Sequence, residues 1–256
     1  MSLGGWTAQR YYKLIALQVL SLLTNTDQSI SRQYSRVCAA TMSCVSTAHP
    51  DLMHQLFWQP LTCDILSTSS DKQEVCLKTL CKIIFFAAEP RSHLLPLCMQ
   101  ILPDIFSVYL QNKSSVVVTD TRLYCEELLS TCLQFSSNQS VSNFLYDIAT
   151  TSATLSADVL TAEDTHSAAI LFCVSKVSES SVVQKFFIQL LEKLSSLMSH
   201  LNPNMVGSST SIENNSPELS GLLIKYRLMS LLSTLCETES KACLQHPQYI
   251  IKFIKV

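Results

Sequence analysis

The sequence predicts an all-α chain, a superhelix of paired helices, and three observations carry that expectation. Apolar residues recur at three- and four-residue spacing through almost the whole length, and no run alternates long enough to build a sheet. Prolines and short polar clusters punctuate these stretches as helix starts, breaks or kinks. Helix pairs begin near residues 7, 51, 91, 140, 181 and 217, a period of roughly 36–49. That irregular period matches HEAT or armadillo-like repeats, in which each pair buries its inner face only by stacking on the next. A compact helical bundle would show the same stripes, and the steady pairing favours the solenoid. The expectation is therefore one helical-repeat region over 1–256.

Taken in order, helices are expected over 7–24, 30–48, 51–67, 72–88, 91–111, 120–136, 140–155, 163–179, 181–201, 217–238 and 240–255. The first holds the apolar run Leu14 to Leu23, and the second a stripe of Tyr34, Val37, Cys38, Thr41, Val45 and Ala48. The fourth carries Cys76, Leu77, Leu80, Ile83, Ile84 and Ala87, and the sixth Cys125, Leu128, Leu129, Cys132 and Phe135. Thr161 and Asp164 resemble a capping box opening the eighth helix. The ninth is the clearest: Val183, Phe187, Leu190, Leu191, Leu194, Met198 and Leu201 share one face, away from Lys185, Glu192 and Lys193. Ser216-Pro217-Glu218 places a capping hydroxyl, a first-turn proline and an acid at the start of the tenth. Its stripe is expected to be Leu219, Leu222, Leu223, Tyr226 and Met229. Pro50, Pro60, Pro90, Pro96 and Pro103 mark starts, breaks or kinks, because proline removes a backbone donor. Connections are short except 202–216, a polar stretch expected to be a mobile loop.

Apolar residues make up 47% of the chain and charged residues only 15%, well under the roughly 25% of an ordinary soluble domain. Such a surface suits a segment of a longer solenoid whose flanking repeats cover its ends. Net charge is −2, from 18 basic and 20 acidic residues without a basic block, so there is no electrostatic footprint for nucleic acid. No apolar run is long enough to span a bilayer. Arg10 and Lys13 before LIALQVLSLL could pass for a secretory signal, but Gln18 interrupts the run and no small-residue cleavage site follows. Eleven cysteines fall at helical core spacing, as in Cys125 and Cys132, with no CxxC. They are expected to be small buried hydrophobes in a reducing compartment, which places the chain in cytoplasm or nucleus.

Chemistry-bearing motifs are missing. The four glycines form no phosphate cradle or nucleophile elbow. His49 and His54 straddle a proline and cannot share one helical face, and the six histidines are each expected at a surface or a helix end. Glu163, Asp164 and His166 are expected to cap a helix rather than to hydrolyse anything, while Glu126, Glu127 and Asp147 have no obvious partner. No catalytic residue, cofactor or metal ligand is therefore assigned. Candidate protein-contact anchors are the aromatic residues Trp6, Tyr11, Tyr12, Phe57 and Trp58, a type favoured at binding surfaces, though core packing suits them as well.

Residues 10–23, RYYKLIALQVLSLL, resemble a segment of the transport-and-Golgi-organisation protein six family, itself similar to the fungal factor for RNA polymerase II assembly and nuclear import. The resemblance lies in Tyr11 and Tyr12, then Gln18, Val19, Leu20, Leu22 and Leu23, and in the helix–His-Pro–helix junction of residues 39–61. Leu17 stands where the family pattern has proline before the glutamine. The resemblance implies HEAT-like repeats, no catalytic residues, and a role in RNA polymerase II assembly or in secretory-pathway organisation. The leading expectation is a non-enzymatic protein-binding scaffold, with RNA polymerase II subunits as candidate clients. Alternatives are a membrane-trafficking adaptor at the Golgi, or an importin-like carrier, against which the lack of Trp-Asn pairs speaks.

Overall fold

The structure is a computed structural model that describes residues 3–25, 28–87, 93–113, 118–151, 159–199 and 217–238. Helices occupy α1 (Leu3–Leu23), α2 (Gln28–Ala48), α3 (Pro50–Met53), a π-helical turn (His54–Trp58), α4 (Gln59–Thr62), α5 (Ser70–Ala87) and α6 (Leu95–Lys113). They continue as α7 (Asp120–Phe135), α8 (Asn138–Thr150), α9 (Val159–Ser175), α10 (Ser180–Ser199) and α11 (Pro217–Thr238). No strand occurs among the described residues. The expected loop at 202–216 and helix at 240–255 lie outside them.

Local chemistry explains the boundaries. The Thr119 hydroxyl accepts from the Arg122 amide at 3.2 Å to start α7, and the Ser137 hydroxyl accepts from the Ser140 amide at 3.3 Å to start α8. Each satisfies one of the orphan donors that a helix start leaves. Pro217 opens α11 as its position predicts. Thr161 does not cap α9: the helix already runs from Val159, which puts Thr161 inside its first turn. The π-helical turn has a local cause. The Gln59 amide donates to the His54 carbonyl, five residues back. Pro60 has no amide to offer Leu56, and its ring pushes that carbonyl aside, so the turn before it widens. Pro103 lies inside α6 on the solvent side, where its missing donor costs least.

The chain divides into two compact units, Met1–Ser136 and Ser137–Val256. In the first, α2, α5 and α7 pack side by side, with α1 and α3 against α2, α4 against α5, and α6 against α7. Its core is Leu23, Met42, Phe57, Trp58, Leu77, Leu80, Ile83, Leu102, Phe106 and Leu129. In the second, α8 packs on α9 and α10, and α11 packs on α9 and α10, around Leu145, Ile170, Phe186, Leu190, Leu194 and Leu231.

The stripes of α5 and α10 are buried as expected wherever they are described, and so is that of α7 up to Cys132. Three expectations are corrected. In α2 the buried face is Ser35, Cys38, Ala39, Met42 and Val45, while Tyr34, Val37 and Ala48 are exposed. Small residues at 35 and 39 let that face approach its neighbours closely, which outweighs the larger apolar area of the other. In α11 Tyr226 and Met229 are exposed, and Arg227, Leu228, Leu231, Leu232 and Leu235 are buried instead. In α7 Phe135 is exposed, at the last residue of the helix.

Candidate protein-binding surfaces

The five aromatic candidates separate. Phe57 and Trp58 sit in the π-helical turn and are buried, Trp58 at 2% exposure, so they fill the core of the first unit. Tyr12 is half-buried and meets the His49 ring edge-on at 5.0 Å. Tyr11 is 66% exposed. The side chain of Trp6 lies outside the described residues. Tyr11 is not alone: Leu14 and Leu17, on the same outer side of α1, are also exposed. This face is opposite Ala16, Val19 and Leu23, which enter the core. The signal for it was present in the sequence, since α1 carries more leucines than one buried stripe can hold.

A groove of about 350 Å³ opens where the end of α1, α4 and the first turns of α5 converge. Leu20, Leu61, Val75 and Cys76 supply its apolar lining, and Asp64, Asp71 and Lys72 its charges. Its walls are tied by hydrogen bonds. The Cys76 thiol donates to the Leu61 carbonyl at 2.9 Å, and the Gln73 side-chain amide donates to the Ile65 carbonyl at 2.8 Å. Thr24 and Thr79 turn their hydroxyls back onto the carbonyls of Leu20 and Val75, four residues earlier. Burial, and next the nearby Cys63, push the Cys76 thiol up to about 12, so it packs and does not react.

The Cys81 thiol lies near those of Cys125 and Cys132, and the Cys98 and Cys132 thiols share a hydrogen bond. Among the described residues no group of three or more His, Cys, Asp or Glu side chains could hold a metal ion. Glu126 pairs with Arg122 at 3.0 Å, one helical turn away. His49, His54 and His93 are exposed, whereas His166 overturns its expected surface position at 2% exposure. Burial, and next the Arg227 cation, hold its pKa down to about 3, so the imidazole is neutral. Cys38, Cys76, Cys81, Cys98, Cys125, Cys132 and Cys173 are buried free thiols, while Cys44 and Cys63 are exposed. No helix of the described residues is long and apolar enough to cross a membrane.

A family model described as Transport and Golgi organization protein 6 homolog, ARM-like repeat, matches residues 4–204. No solved structure matches the chain.

Proposed function

The chain belongs to the Transport and Golgi organization protein 6 homolog ARM-like repeat family, and from that premise we propose that it is a non-catalytic scaffold which holds protein clients. The family match over residues 4–204 carries the reading, because stacked helix pairs present long side-chain surfaces rather than a closed reaction chamber. The exposed apolar face of α1 and the groove beside α5 supply surfaces of the kind that protein partners cover.

The clients we propose are RNA polymerase II subunits, handled during assembly or nuclear import in the cytoplasm. The support is indirect: residues 10–23 and 39–61 resemble the family, and the family is itself similar to the fungal factor with that role. A second reading, a Golgi or secretory-pathway adaptor, is favoured by the description of the family itself. Affinity purification with crosslink mapping tests both. Crosslinks from α1 or the α5 groove to polymerase subunits in cytosolic extract support the first. Recovery on Golgi-enriched membranes, crosslinked to coat or trafficking proteins, replaces it with the second. If the chain crosslinks to no protein in either fraction, the scaffold reading fails.

A further inference from the structure

We propose that the groove between α1, α4 and α5 docks a short segment of a client that carries one lysine or arginine beside an aliphatic side chain. This rests on the protein-binding reading and gives it a place and a recognition chemistry.

The groove has an apolar floor and an acidic rim. Val75, in the middle of the groove face of α5, is 51% exposed, and covering such a side chain with an aliphatic partner is favourable. Asp71 stands one turn before it on the same face of α5, and Asp64 approaches from the segment after α4. Neither carboxylate makes an ion pair among the described residues. Both residues line the groove, so an incoming cation would find two carboxylates within reach over an apolar bed.

The remaining groups narrow the choice. The Thr24 and Thr79 hydroxyls and the Cys76 thiol already donate to carbonyls within the protein, so toward an incoming segment they offer only acceptor lone pairs, which suits a donor cation. Lys72, on the rim next to Asp71, brings the three charges to a net of minus one. One cation is matched by that balance, whereas a run of basic residues would meet Lys72 and an acidic or nucleic-acid partner would meet both aspartates. The volume of about 350 Å³ lies near the low end of the roughly 300–1,000 Å³ of ligand pockets, room for a few side chains and not for a whole helix. Because the walls are already fixed by the Gln73 and Cys76 bonds, docking orders only the peptide.

The test pans a random dodecapeptide display library on the full chain. Enriched peptides are then labelled and titrated by fluorescence polarisation. The expected result is enrichment of Lys or Arg adjacent to Leu, Ile or Val. Binding should weaken by about tenfold or more in Asp64→Asn/Asp71→Asn, in Val75→Glu and at high salt. Both variants should melt as the wild type does, since Val75 and Asp71 are exposed and Asp64 is only half-buried. A lysine-to-glutamate exchange in the peptide should also abolish binding. Enrichment without a basic residue, no enrichment, or equal binding to the variants overturns the proposal. Peptides that bind but ignore the groove substitutions leave the scaffold reading standing, whereas a chain that crosslinks to no client brings that reading down separately.

Discussion

Arg227 on α11 donates from Nη1 to the backbone carbonyl of Thr151, the capping residue just after α8, at 3.0 Å and with only 1% of the arginine exposed. The end of a helix carries partial negative charge on its unpaired carbonyls. A buried guanidinium there is stabilised by the same groups whose hydrogen-bonding demand it meets, and its planar set of donors suits the task better than an ammonium does. The bond ties two helices of the second unit that are far apart in sequence.

Replacing that side chain should therefore cost stability without touching any binding surface. Arg227→Met is expected to lower the unfolding free energy by about 1.5–3 kcal/mol, the range for a hydrogen bond to a charged group. Arg227→Lys should recover only part of the loss. Urea titration of the full chain measures both, and an unchanged midpoint for Arg227→Met would show that the contact contributes nothing net.

Acid should destabilise the second unit through His166. The unfolded imidazole titrates near 6.5 and the folded one at about 3, held down first by burial and then by Arg227. Between those values the unfolded state binds the extra proton, so stability falls as pH drops below about 6.5, by at most about 1.4 kcal/mol per pH unit from this group. His166→Leu should flatten the pH dependence between neutrality and pH 5 relative to the wild type. Parallel stability–pH curves for the two proteins would rule out the buried neutral histidine.

What was legible in the sequence depended on how many apolar faces a helix offers. α5 and α10 each have one, and periodicity alone identified it. α2 has two competing stripes, and the buried one contains Ser35 and Ala39, whose value is small size rather than hydrophobicity. α11 is apolar on nearly all sides, so Tyr226 and Met229 looked as suitable as Leu228 and Leu231. His166 gave no local signal of its neutral state, which rests first on burial by tertiary packing and then on Arg227, some sixty residues later. The groove is assembled from Leu20, Asp64 and Val75, which only tertiary packing brings together. Pro60 was visible as a break, but not that the chain would absorb it as a π-helical turn.

The thiols should divide by burial. Cys44 and Cys63 are exposed, while the Cys125 thiol is pushed up to about 12 by burial and next by Glu126, and Cys76 to about 12 as well. Iodoacetamide near pH 8, followed by peptide mass spectrometry, should label Cys44 and Cys63 in the native protein. Cys76 and Cys125 should be labelled only after denaturant is added. Native-state labelling of Cys76 at the rate of Cys63 would contradict the closed wall of the groove.

The outer face of α1 gives the last expectation. Tyr11, Leu14 and Leu17 are exposed together, opposite the residues that anchor the helix. Contiguous exposed apolar side chains of this kind mark a surface meant to be covered, and with only 15% charged residues the chain has little to keep copies apart. At high micromolar concentration the full chain should therefore self-associate in sedimentation velocity. Leu14→Glu/Leu17→Glu should shift it to monomer while the helical circular dichroism signal persists, because neither side chain supports the core. Tyr11→Ala should weaken association less, since one ring at the edge of the patch is lost and no charge is introduced. A wild-type chain that stays monomeric throughout would show that the face is not adhesive. Loss of helix in the double variant would mean that Leu14 and Leu17 are buried in solution, and that α1 packs through a different face from the one described.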